Sequence, residues 1–325
     1  MVSDFSLVDA IECGIVKVPR LPVDDDSSGT SVVYRNLWDE ISQDLPKRAA
    51  RAARARSQEP SLPPKLETAL FSLYANYEKT FLPWQASGAQ RGETPPVFIV
   101  VCNNTTVSKL VFDWVAGFDK ATVDLDGDGV TVPSPGKLVL FSNVEGGQWT
   151  HRPRTILVDS AQLESGEQLS ADFKALVAQE IEEFKSELRL RFPGRDPEDM
   201  TEADLLREVM NTVGKPGKLG ADIRCVVSVS MLTEGWDANT VSHILGVRAF
   251  RTPLLTEQVV GRGLRRRSYE VGPDGLFEPE SPRSSGCRSP SSRRAVRART
   301  RSRAAHRYGC APCPSGPRRA SCSRG

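Results

Sequence analysis

Val97–Cys102 is an unbroken apolar run, VFIVVC, fenced by Pro95 and Pro96 on one side and by Asn103 and Asn104 on the other. A strand with one wet face alternates apolar and polar residues. A run without alternation, rich in β-branched side chains, suits a strand covered on both faces, as in a parallel sheet between layers of helices. The same pattern recurs at Thr155–Asp159, Arg224–Ser230 and Ser242–Arg248. Helical segments stand between these runs. One is capped by Asn103–Thr106 and runs through Val107, Leu110, Val111 and Trp114; a longer one covers Ala171–Arg191. Strands alternating with helices predict an α/β fold with a mostly parallel sheet flanked by helices. Ligands of such sheets gather at the carboxyl ends of the strands. Polar residues occupy each predicted end: Asn103 and Asn104, Asp159 and Ser160, Thr233 and Glu234, and Arg251.

Residues 1–93 follow a different pattern and are expected to form a helical linker or extension. A short amphipathic helix (Leu7, Val8, Ile11) leads into an extended segment over Ile15–Pro22, where Pro19 and Pro22 forbid regular structure. Asp24–Gly29 reads as a solvated loop, and helical periodicity resumes over Tyr34–Leu45. Lys47–Arg56 is rich in Ala and Arg, a solvated helix face or, alternatively, a phosphate contact. After Pro63-Pro64, the spacing of Leu66, Leu70, Leu73, Tyr74 and Tyr77 predicts a helix reaching Phe81. The α/β domain then spans 94–270, with a helical insertion at about 165–218.

Residues 271–325 are dominated by Ser, Arg, Pro, Gly and Ala without an apolar stripe, so the expectation is a disordered tail. The tail holds twelve arginines, no lysine and three acidic residues, a charge of +9, which leaves −7 for the rest of a chain whose total is +2. An acidic body is no generic basic nucleic-acid binder; nucleic acid would meet it on a local patch. A basic tail without lysine is either a natural arm or the product of a shifted reading frame. Only Cys13, Cys102 and Cys225 of the seven cysteines lie in the body, widely spaced, and they read as buried thiols of a cytoplasmic protein without a disulfide framework. Cys310 and Cys313 form a lone C-x-x-C beside His306, with no second ligand pair to make a zinc site. No metal site is expected. No apolar run approaches the roughly 18 residues of a membrane helix, and Met1–Ala10 lacks the basic start and apolar core of a signal peptide.

Thr256–Arg265 carries the strongest chemical pattern, Gln258, Gly261, Arg262 and Arg265 in a Q-x-x-G-R-x-x-R spacing at a predicted helix start. Two arginines three apart share a helical face. A preceding glycine allows close backbone approach, and planar guanidinium groups suit bidentate contact with phosphate. Upstream, Ser230–Asp237 follows an apolar strand and offers Thr233, Glu234, Gly235 and Asp237 at its carboxyl end.

These segments resemble the second RecA-like domain of superfamily 2 helicases. Val97–Thr106 matches motif IV, Ser230–Val241 motif V and Glu257–Arg266 motif VI. The stretch Asp4–Arg20 (DFSLVDAIECGIVKVPR) and the Thr-Glu-Gly-Trp-Asp wording at 233–237 resemble, more narrowly, the helicase subunit of type III restriction enzymes. The resemblance covers about residues 1–270 and implies an ATP-dependent DNA helicase or translocase. It implies that Arg262 and Arg265 reach the γ-phosphate of ATP bound with Mg²⁺ on a first motor domain, stabilising transition-state charge. Gln258 and Gly261 would sense the nucleotide, and Gly235 and Asp237 would couple it to the nucleic-acid strand. Asn103, Asn104, Thr105, Thr106 and Thr233 would contact the DNA backbone. A methylating specificity subunit is implied as a further partner.

The sequence holds no P-loop, G-x-x-x-x-G-K-[ST], and no Asp-Glu-x-His box. Gly214–Leu219 is the nearest approach, and leucine cannot ligand magnesium. The chain is therefore expected to be inactive alone, a truncated motor half whose ATP site lies mainly on the missing domain. Two alternatives are a non-enzymatic module acting in trans on DNA or on a separately encoded ATPase, and the product of a pseudogene. Asp124, Asp126 and Asp128 imitate a calcium loop whose twelfth position is Pro135, where a glutamate is needed, so a turn between two strands is expected. His243, on an apolar strand, reads as a core residue rather than a catalyst, and His151 stands isolated.

Overall fold

The computed structural model describes residues 7–18, 37–46, 59–123, 129–158, 181–182, 185–186, 202–229, 238–249, 260–261 and 263–271, and the backbone of 283–285. In chain order the elements are α1 (Leu7–Glu12), α2 (Leu37–Ile41), α3 (Pro64–Pro83), β1 (Val97–Cys102), α4 (Thr105–Ala116), β2 (Gly117–Val123), β3 (Gly129–Pro135), β4 (Val144–Glu145), β5 (Gln148–Trp149), β6 (Thr155–Val158), α5 (Glu202–Asn211), β7 (Cys225–Ser228), β8 (Val241–Val247) and β9 (Arg283–Ser285).

Five strands form one sheet in the order β6-β7-β1-β8-β9, and every pairing in it is parallel. β1, β6 and β7 are buried at each position. That matches the expectation from their unbroken apolar runs, because helices cover both faces. α2, α3 and α4 pack on the face that carries Phe98, Val100 and Cys102. α5 packs on the face that carries Val97, Ile99 and Val101. The chain is thus α/β, with a parallel sheet flanked by helices. α3 belongs to the same core as the sheet: Tyr77 and Phe81 are fully buried in it, and the Tyr77 hydroxyl donates to Pro96 O at 2.8 Å.

Several local expectations meet the structure directly. Asn104 caps α4, and α3 begins at the predicted proline boundary. β2 and β3 pair antiparallel, with Val123 opposite Gly129, on either side of the aspartate-rich residues 124–128, which themselves lie outside the described residues. Other elements differ. The helix expected over Tyr34–Leu45 is confined, in its described part, to α2, followed by turns. The helix expected over Ala171–Arg191 lies almost wholly outside the described residues. The short hairpin β4–β5 was not predicted; Gly146 and Gly147, at φ 60° and 78°, make its two-residue turn. Arg283–Ser285, within the stretch expected to lack regular structure, pairs with β8 as an edge strand. Ladder pairing uses backbone groups and requires no apolar stripe in the added strand. Among the described residues, no helix is long and apolar enough to cross a membrane.

Candidate functional site

Parallel pairing brings the carboxyl ends of the strands to one edge. Val101 stands opposite Ser228 and Cys102 opposite Val247, so Asn103, Val229 and Arg248 leave the sheet side by side. Asn104 is extended (φ −155°, ψ 169°), and its Oδ1 accepts from the Val107 amide at 2.9 Å while its carbonyl accepts from the Ser108 amide at 2.9 Å. Asn103 and Thr105 are exposed and Thr106 is half-buried. The first amides of a twelve-residue helix have no intrahelical partners and lie at the positive end of its dipole. This edge therefore offers amides and hydroxyls suited to an anionic oxygen.

Arg248 adds a cation that the sequence marked only as a strand end. It is half-buried, and its Nη1 donates to Val229 O at 3.2 Å, tying the end of β8 to the end of β7. Among the described residues, its Nε is buried without a hydrogen-bond partner. Burial lowers the guanidinium pKa from its ordinary value.

Gly261 and Arg265 are described; Gln258 and Arg262 lie outside the described residues, as do Thr233, Gly235 and Asp237. The helical turn around Val260 and Gly261 closes where the Leu264 amide donates to Val260 O (3.1 Å) and Gly261 O (3.2 Å). Arg265 follows that turn in non-helical, exposed backbone. The single helical face expected to carry both arginines therefore stops short of Arg265. Beyond the turn, the next residues bond to other parts of the chain. Arg266 is 6% exposed; its Nε donates to Ser268 O at 3.1 Å and its Nη1 to Gly14 O at 3.4 Å. Arg267 Nη2 donates to Thr94 O at 3.0 Å.

The glycines divide in the same way. A Cβ at Gly261 meets no described atom within 4 Å, whereas one at Gly263 would lie 2.6 Å from Ile244 Cδ1. Gly263, absent from the predicted site, lets this segment lie against β8. Its sequence signal was present, since two glycines flank residue 262, but spacing alone could not say which one faces the sheet.

The remaining reactive groups belong to the core. His243 is fully buried; its Nδ1 lies 2.9 Å from Ser242 Oγ, and its ring stacks on Phe98 with centroids 5.9 Å apart. A register shift between Val97 and Phe98 pairs Phe98 with His243 rather than Ser242, which turns the imidazole onto the aromatic face. Burial raises the thiol pKa of both Cys102 and Cys225 far above the ordinary range, so neither is a ready nucleophile. Leu219, in the segment that imitates a P-loop, is a buried core residue. Among the described residues, no group of three His, Cys, Asp or Glu side chains is placed to hold a metal ion. No family model matches this chain, and no curated protein matches it.

Proposed function

We propose that residues 94–270 act as the second, RecA-like motor half of a cytoplasmic, ATP-dependent DNA helicase or translocase of the type III restriction kind. One observation supports this reading above the others. The parallel sheet brings the Asn104-capped start of α4 and the carboxyl ends of β7 and β8 to a single edge. The loop after β1 and the segment after β7 thus start from one rim, as strand ends in open α/β sheets do; Gly263–Arg267 lie toward the opposite, amino end of the sheet, beside Val241 and Thr94.

In this reading Asn103, Asn104, Thr105 and Thr106 contact the DNA backbone, where helix N-termini and hydroxyls position phosphate without reading sequence. Thr233, which follows β7 in the sequence, contacts the same backbone, and Gly235 and Asp237 relay nucleotide state to the DNA strand. Arg262 and Arg265 extend toward ATP held with Mg²⁺ on a separate first motor domain, with Gln258 and Gly261 beside them. Mg²⁺ there would neutralise charge on the phosphates. The chain alone, without a P-loop, hydrolyses no ATP. A methylating subunit supplies sequence recognition.

The test is to mix the purified chain with a separately expressed P-loop motor domain and to measure DNA-stimulated ATP hydrolysis. Activity should appear only in the mixture and fall by about 10³-fold or more in Arg262→Ala or Arg265→Ala, the scale of a lost arginine finger. A silent mixture, or full activity in both variants, overturns the reading.

A further inference from the structure

Burial along residues 15–18 is the reverse of what hydropathy dictates. Ile15 and Val18 are exposed (44% and 43%), while Lys17 between them is 4% exposed. α1 ends in a reversal at Gly14 (φ 68°), where the Gly14 amide donates to Ile11 O and the Ile15 amide to Ala10 O. The chain then runs as a strap between two distant segments. On one side, the Lys17 amide donates to Leu264 O at 2.7 Å, and Arg266 Nη1 reaches back to Gly14 O. On the other, Lys17 Nζ donates to Asn239 O at 2.6 Å and to Val241 O at 3.0 Å, at the start of β8. An ammonium leaves water only where acceptors meet its protons, and carbonyls fixed by a strand provide them. Charge and backbone bonds, rather than apolar burial, hold this strap.

We infer that Lys17 is a positioning residue: the strap Gly14–Lys17 clamps Leu264–Arg266 to the start of β8 and so sets where Arg265 stands. The consequence for catalysis rests on the role proposed for Arg265; the clamp itself does not.

Hydrogen exchange on the full chain separates the two. In Lys17→Met, the amides of Leu264–Arg267 should exchange about tenfold faster while β1 and β7 stay within about twofold of the parent. Lys17→Arg, which keeps charged donors, should restore most of that protection. Unchanged exchange in Lys17→Met, equal acceleration throughout β1 and β7, or an Arg variant as fast as the Met variant each overturns the clamp. In the mixture with a P-loop motor domain, Lys17→Met should lower kcat and leave KM for ATP within about twofold, because it misplaces a group needed in the transition state. A rise in KM with kcat unchanged overturns the positioning role. If the parent mixture is silent, the helicase reading fails while the exchange result still decides the clamp.

Discussion

The two faces of the sheet are cut from the same strands and packed with different chemistry. Phe98 and its alternate neighbours enter a cluster of rings: Tyr77 lies 4.7 Å from Phe141, 5.6 Å from His243 and 5.8 Å from Phe81 between centroids. Val97, Ile99 and Val101 meet an aliphatic layer in which Leu205, Val209 and Met210 of α5 pack against Ile156, Val226 and Ile244. The ring face is directional. Edge-to-face rings prefer particular angles, and their polar tips need partners; the Tyr77 hydroxyl takes Pro96 O, and the Tyr74 hydroxyl accepts from the Leu140 amide at 3.0 Å. The aliphatic face is satisfied by volume alone. α3 is therefore seated by specific bonds, and α5 by shape.

That contrast can be broken at Tyr77. Tyr77→Ala removes a fully buried ring and a buried hydrogen bond, and should cost about 3–5 kcal/mol, read as a shift in the denaturant midpoint. A loss no larger than that of Ile156→Val would dissolve the distinction. Backbone crowding should ignore it. A Cβ on Gly136 would lie 1.9 Å from Val115 O, and one on Gly220 2.2 Å from Val209 O. Each Gly→Ala change should cost at least about 1–3 kcal/mol, as overpacking against unyielding backbone does. A neutral Gly220→Ala would sharpen the contrast by showing that the α5 side adapts. Ile156→Val, on the aliphatic face, should cost only about 0.5–1.5 kcal/mol.

The smallest effect at neutral pH becomes visible in alkali. Cys102, Cys225 and Tyr77 all sit on the ring face, and burial raises the pKa of each. The folded state keeps protons that unfolded thiols lose near pH 8.5 and unfolded phenols near pH 10, at about those ordinary values. Stability from these groups is intact below that range and falls as pH rises through it. Melting temperature measured from pH 7 to 10.5 should show this decline, and paired Cys102→Ala and Cys225→Ala should flatten it. Iodoacetamide at pH 8 should label exposed Cys13 and spare both strand thiols until the chain unfolds.

Legibility in the sequence followed the range of the interactions. The run VFIVVC, the Asn104 cap, the helix opening at Pro64 and the antiparallel pairing of β2 with β3 all depend on residues a few positions apart, and each was readable. Of the candidate site, the polar loop after β1 was readable for the same reason. The seat of Arg266, the packing of Gly263 on Ile244 and the bond from Arg248 to Val229 were not, since each partner comes from another part of the chain.

The sequence by itself determined that strands buried on both faces alternate with helices, and that polar groups stand at the strand ends. Periodicity encodes this, because every turn and every second residue reports how much water its side chain will meet. Only the tertiary structure decided that β1 lies between β7 and β8, that the ring face belongs to α3, and that a lysine near the start of the chain is buried between residues 239–241 and 264. Those outcomes turn on which segments become neighbours. A buried ammonium is stable only where carbonyls meet it, and those of Asn239 and Val241 lie 222 and 224 residues along the chain from Lys17, beyond any local window of sequence.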